Sequence, residues 1–199
     1  MRSIHDRGFD PSDRTVAGHW EADLIVGLNH RSAIATLVER QTRYVRLVHL
    51  PAQDSNAVKT ALVRTLLTMP AHLRLSLTWD QGTELARHLE ITAETDTKVF
   101  FADAASPWQR GTNENTNGLL RQYFPKSTNL AVHTPSDLAR VAEELNSRPR
   151  MDPRRLSSRR ALQGTASLHR KPTVAMTAGN QGASWPSFRP SSTGVVARR

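Results

Sequence analysis

From His19 the chain alternates in character: Trp20, Ala22, Leu24 and Val26 are apolar, with Glu21 and Asp23 between them. A period of two predicts a strand over residues 19–26 that carries Asp23 on one face. Residues 32–39 (SAIATLVE) and 44–50 (YVRLVHL) follow short polar turns and read as two further strands, antiparallel neighbours of the first. The period then lengthens. Val58, Leu62, Leu66 and Met69 share one helical face, Asp54 or Ser55 can cap that helix, and Pro70 stops it. Residues 73–79 (LRLSLTW) form a strand delivering Asp80 at its C-terminal end, where open α/β sheets place their ligands. A helix over 84–94, a short strand over 98–101 and a helix from Ser106-Pro107 to about Phe124 come next. The last helix has Thr134 as cap, Pro135 at its first position, Asp137 completing a capping box, and Leu138, Val141 and Leu145 as its apolar stripe.

Three strands, a helix, a strand, a helix, a short strand and two helices predict an α/β fold, a mixed sheet with helices on its faces. At 199 residues there is room for one domain with a real core. Residues 1–18 are polar and turn-rich and are expected to form a poorly ordered leader; residues 19–149 hold the folded core. From residue 150 onward Ser, Pro, Gly and Arg dominate without a sustained period, the composition of a disordered tail.

The net charge of +9 resembles a nucleic-acid footprint until it is located. Residues 1–149 hold 17 basic and 17 acidic side chains, whereas residues 150–199 hold 10 and one. The excess therefore belongs to the tail and says little about the core. With no cysteine, disulfides and thiolate metal sites are excluded. No apolar run approaches the roughly 20 residues of a membrane span, which predicts a soluble, intracellular protein. The eight histidines show no HExxH spacing, which argues against zinc.

The candidate chemistry lies in three acids on separate predicted elements: Asp23, Asp80 and Glu114, the last two separated by 33 residues. Three converging carboxylates can hold two magnesium ions, the equipment for cutting and joining phosphodiesters. Each acid also has an ordinary explanation. Asp23 can be a solvated strand residue, Asp80 an Asx-turn before Gly82, and Glu114 a favourable charge near a helix start. Glu114, Asn117 and Arg121 fall at i, i+3 and i+7, on one helix face, which suits a metal ligand, an amide and a phosphate contact, or equally a solvated face. Arg110, Gly111, Thr112 and Asn113 precede that helix as a flexible, basic, hydrogen-bonding entrance, and Lys126 is a further candidate phosphate contact.

The strings GHWEADLIVG, TWDQGTELARH, SPWQRGTNENTNGLLRQYFPKSTNL and ELNSRPR resemble the catalytic core of insertion-sequence transposases of the IS-thirty group. That resemblance spans about residues 15–150. It implies a DDE-class enzyme with a ribonuclease H-like, retroviral-integrase-type fold of three antiparallel and two parallel strands. It further implies Asp23, Asp80 and Glu114 as the catalytic, metal-binding triad and two Mg²⁺ or Mn²⁺ ions per site. Arg110, Asn113, Asn117, Arg121 and Lys126 are read from the residues themselves as candidate DNA contacts, with helix capping or a solvated surface as the alternative. The expected partners are DNA, as element ends and target, and further copies of the chain assembled on DNA, in the bacterial cytoplasm. Two departures accompany the resemblance. Only about 18 residues precede the first catalytic string, so an N-terminal helix-turn-helix is expected to be missing. After ELNSRPR the sequence changes to Met151-Asp152-Pro153-Arg154-Arg155, which suggests an out-of-frame ending near Arg150 or a basic arm that grips phosphates.

Overall fold

A computed structural model describes residues 1–8, 13–80, 82, 85–148 and 162–163. Strands β1 (His19–Val26), β2 (Ala33–Glu39), β3 (Val45–His49), β4 (Ser76–Trp79) and β5 (Lys98–Phe101) form one sheet in the order β3-β2-β1-β4-β5. The β1–β2 and β2–β3 pairs are antiparallel; β1–β4 and β4–β5 are parallel. The helices are α1 (Ser55–Leu67), α2 (His88–Thr95), α3 (Gly111–Leu120) and α4 (Pro135–Ser147). This is the mixed sheet that the side-chain pattern predicts, with the ribonuclease H-like make-up that the family resemblance implies.

The pleat of β1 sorts its side chains between two layers. Trp20 and Ala22 pack with Leu77 and Trp79 against Val58, Leu62 and Leu66 of α1 and Ile91 of α2. Ile25 turns the other way, joining Ile34, Leu120, Leu138 and Val141 under α3 and α4. Glu21 and Asp23 share the face of Ile25, so they are aimed at α3. Two glycines bracket this strand. Gly18 has φ +102, and a Cβ there would meet the His72 carbonyl at 2.7 Å; at Gly27 it would meet Ser32 Oγ at 2.5 Å and the Thr128 carbonyl at 2.7 Å. Any side chain at either end would push neighbouring backbone away from β1.

Several boundaries differ from the sequence reading. Residues 71–73 form a 3-10 turn, so β4 begins at Ser76. The helix expected over 84–94 runs from His88 to Thr95 and ends on Asp96 in the left-handed conformation, φ 57; Glu84 lies outside the described residues. The helix after Ser106 starts as a 3-10 turn over Pro107–Arg110 before α3. The cap expectations hold for the other two helices. The Asp54 carboxylate accepts from the Asn56 and Ala57 amides, and Thr134 and Asp137 form a capping box.

The leader is a correction. Ser3 forms a parallel bridge to Phe101, the Phe101 amide donates to the Arg2 carbonyl at 2.9 Å, and Ile4 is fully buried. Polar composition hid this because the segment is anchored by backbone pairing to β5 and by one apolar side chain. Arg7, also buried, donates to Thr78 Oγ1 at 3.2 Å. Burial and the Arg40 charge lower its pKa to about 10, with Glu21 opposing. Far along the chain, Asn146 of α4 bonds both backbone groups of Val45, accepting at 2.8 Å and donating at 2.9 Å, which closes a strand edge. Residues 149–161 and 164–199, the expected tail, lie outside the described residues except for Leu162 and Gln163. No helix of the described residues is long and apolar enough to cross a membrane.

The polar end of β1 gives the fold a pH dependence. His19 Nδ1 pairs with Ser76 Oγ at 2.7 Å, and burial, with the Arg40 and Arg7 charges, lowers the imidazole pKa to about 4. The unfolded chain takes that proton near pH 6.5. Stability present above pH 6.5 is therefore lost as pH falls towards 4, on the order of 2 kcal/mol once solvent screening of this half-buried group is counted. Urea titrations across that window are expected to show the loss, and His19→Asn to flatten it; an unchanged slope in the variant would assign the dependence elsewhere.

Candidate active site

Strand register alone brings two of the acids together. Glu21 of β1 stands beside Thr78 of β4 in parallel pairing. Two residues beyond that pair are Asp23 and Asp80, which the register carries to the same end of the sheet. Asp23 still lies within β1, while Asp80 follows the last residue of β4. Gly82 donates its amide to Asp80 Oδ1 at 3.3 Å, the turn that the Asp-Gln-Gly string predicts.

A single guanidinium joins the two carboxylates. Arg110 places Nη1 3.5 Å from Asp23 Oδ2 and Nη2 3.5 Å from Asp80 Oδ2, with Nη1 also 3.5 Å from the Ala22 carbonyl. Arg110 was expected at a DNA surface; it stands instead between the acids, its side chain only 14% exposed. The pair thus has the charge and spacing to share one cation, and a divalent ion of hard oxygen preference fits that donor set. Asp23 is further oriented by its own strand, Oδ1 accepting from the Leu24 amide at 2.8 Å, and by Asn117, whose Nδ2 donates to Oδ2 at 3.1 Å.

Glu114 does not join them. It is exposed on the first turn of α3, one turn before Asn117 on the same face. Among the described residues no group of three His, Cys, Asp or Glu is placed to hold a metal ion. The expected convergence of three carboxylates is therefore observed for two. The amides of a helix start stabilise the Glu114 charge where it is, with no partner required. Asn113 is a second correction: it is 1% exposed, accepts from Thr36 Oγ1 at 3.1 Å, and cannot meet DNA from there. Arg121 points its Nη1 at the Val26 and Phe124 carbonyls, 3.3 and 3.4 Å away, and burial lowers its pKa against the raising effect of Asp23. Lys126 is exposed.

A cleft of about 460 Å³ opens beside the acids, lined by Asp23, Leu24, Val26, His30, Gln53, Asp54, Ser55 and Asp80. Its wall is the start of α1, and three aspartates make it a place for cations. Asn29 and His30, at φ 51 and 54, bend the chain back at its rim.

Against this geometry, the similarity to known proteins is specific. Residues 13–107 match the family model described as "Integrase core domain", from before β1 to the turn ahead of α3. Over 147 residues the chain is 56% identical to the transposase InsI for insertion sequence element IS30A of Escherichia coli (strain K12), covering 74% of this chain and 38% of that protein. The chain belongs to the IS-thirty group of transposases. Another relative is the transposase for insertion sequence element IS1086 of Cupriavidus metallidurans, 49% identical over 150 residues, which are 75% of this chain and 44% of that one. The chain thus spans less than half the length of these relatives. Its fold also resembles a chain in the cryo-electron-microscopy structure of the simian T-cell lymphotropic virus intasome in complex with PP2A regulatory subunit B56 gamma. The TM-score is 0.57 at 16% identity, covering 90% of this chain and 61% of that one.

Within this transposase-group core, the residue that sequence reasoning missed is Glu21. It is 1% exposed. One oxygen pairs with Arg40 Nε at 3.1 Å; the other accepts from the Thr112 and Asn113 amides at 3.0 and 3.1 Å. Helix α3 has Arg110 at its cap position and no local side-chain cap. Glu21 supplies that cap from β1, two residues from Asp23. With Asn117 on Asp23 and Arg121 on the Val26 carbonyl, α3 is tied along β1 at three levels. From Glu21 to Val26 the strand advances about 16 Å over five residue steps. From Asn113 to the C-cap residue Arg121 the helix advances about 12 Å over eight steps, and the long Arg121 side chain spans the difference. The available signal was a helix beginning Arg-Gly, with no capping residue of its own.

Proposed function

We propose that this chain is a transposase catalytic core that cuts and joins DNA strands at Asp23, Asp80 and Glu114, with divalent metal. The observation supporting this most strongly is the one guanidinium shared by Asp23 and Asp80: two carboxylates on adjacent parallel strands, at the edge of a cation-favouring cleft, are already serving one cation. Asp23 and Asp80 would hold the metal between them, and Glu114, free on the first turn of α3, would complete a two-ion site. When bound, Mg²⁺ or Mn²⁺ supplies Lewis acidity to the attacking water or 3′-hydroxyl and charge neutralisation at the leaving oxygen. Asn117 holds the Asp23 carboxylate in place, and Glu21 holds α3 in register with β1, so that Asn117 keeps its reach to Asp23. Lys126, exposed beyond α3, suits a strand phosphate, and Arg110 suits one when it leaves the acids. The substrates on this reading are element ends and target DNA, bridged by several copies of the chain.

A second reading is a DNA-binding relative without turnover, favoured by Glu114 standing apart from the other two acids. Incubating the purified protein with pre-cleaved element ends, a plasmid target and Mn²⁺ separates the two. Joined products that vanish in Asp80→Ala are expected; DNA binding with neither cleavage nor joining supports the second reading.

A further inference from the structure

We propose that Arg110 is an internal counter-ion that competes with metal for Asp23 and Asp80 and is drawn off by a phosphate of bound DNA, so that DNA and metal bind cooperatively. This rests on the reading of those two acids as metal ligands.

The geometry is that of a loosely parked charge. All three contacts of the guanidinium, to Asp23, Asp80 and the Ala22 carbonyl, are 3.5 Å long. Charge-assisted hydrogen bonds of an N–H on a carboxylate close to about 2.7–2.9 Å when they lock. Arg110 Nε is buried and has no hydrogen-bond partner among the described residues. The guanidinium is therefore held by charge more than by directional bonds, and it leaves one of its donors unmet. Its anchor is also permissive. Arg110 sits at the cap position of α3 with φ −127 and ψ 30, before Gly111, where a Cβ would meet nothing within 4 Å.

The competition follows from the oxygens involved. Arg110 uses Oδ2 of Asp23 and Oδ2 of Asp80, the oxygens left facing each other while the Leu24 and Gly82 amides hold Oδ1 of each acid. Without Arg110 the two acids would stand side by side as like charges, which destabilises both. With it one of their two negative charges is offset, at the expense of metal affinity. A DNA phosphate offers the guanidinium a bidentate partner of matching geometry. Once Arg110 moves to it, the acids are released to the metal, and by linkage metal raises DNA affinity by the same factor. Such a chain holds its carboxylates quiet until DNA arrives.

Mn²⁺ binding to the full chain, followed by the electron paramagnetic resonance signal of free Mn²⁺, tests this with and without a short DNA duplex. Two partly exposed ion pairs are lost in Arg110→Gln, so its Mn²⁺ affinity without DNA is expected to rise roughly three- to thirtyfold. Duplex DNA is expected to tighten Mn²⁺ binding in the wild type and to do so much less in Arg110→Gln. Arg110→Lys, which keeps a positive charge within reach, should stay near the wild type, and circular dichroism verifies that each variant is folded. Equal or weaker Mn²⁺ binding by folded Arg110→Gln overturns the inference while leaving the metal site standing, provided Asp80→Asn still abolishes binding. Mn²⁺ binding indifferent to Asp80→Asn overturns the site itself, and the inference with it.

Discussion

Asp80→Ala is expected to lower Mn²⁺-dependent strand joining by on the order of a thousandfold or more while leaving the fold intact. The magnitude follows from the chemistry assigned to the site: metal-borne charge stabilisation of a phosphoryl transition state supplies several kcal/mol, and each 1.36 kcal/mol is tenfold in rate. The fold should survive because Asp80 follows β4 and does not lie within it, and its bonds to the protein are a turn amide and one long ion pair. Removing one of two adjacent acids relieves part of their repulsion and takes one long ion pair from Arg110, so the variant should melt near the wild-type temperature. Activity within tenfold of the wild type in a gel assay of joined products would remove Asp80 from the reaction.

Glu21→Ala should have the largest effect on stability of any single change near the site. It breaks the buried Glu21–Arg40 ion pair, a loss of about 3–5 kcal/mol for an interior pair with one partner removed. It also uncaps α3, adding about 1 kcal/mol. Against a typical total of about 5–15 kcal/mol, that is a large fraction of what holds a domain together. Glu21→Gln keeps an oxygen for the α3 amides and should cost clearly less. Urea unfolding of both variants checks the order; a loss below about 1 kcal/mol for the alanine variant would show that the pair and cap contribute little.

The features legible in the sequence were those written by local chemistry. The alternation of β1 and the Asp80 turn follow from side-chain period and turn residues, and so do the α1 cap at Asp54 and the α4 capping box. What was not legible depended on partners distant in the chain. Nothing local says that Asn113 turns inward to Thr36, 77 residues away, or that Glu21 caps a helix 91 residues on. The expected helix face of Glu114, Asn117 and Arg121 is real, yet its members behave differently. Asn117 reaches Asp23, Arg121 is held by main-chain carbonyls, and Glu114 faces solvent. Periodicity locates a face; it does not say how far each side chain on it must reach. Arg110 shows the same limit, because a basic residue ahead of a helix can serve an external phosphate or an internal acid, and only strand register brings Asp23 and Asp80 close enough to claim it.

The central claim, that Asp23 and Asp80 are built to share a divalent cation, is tested most directly by crystals of the protein soaked in Mn²⁺. An anomalous difference map should show manganese between those two carboxylates, with the Arg110 guanidinium displaced from them. Well-ordered acids with manganese absent, or bound elsewhere on the chain, would contradict the account.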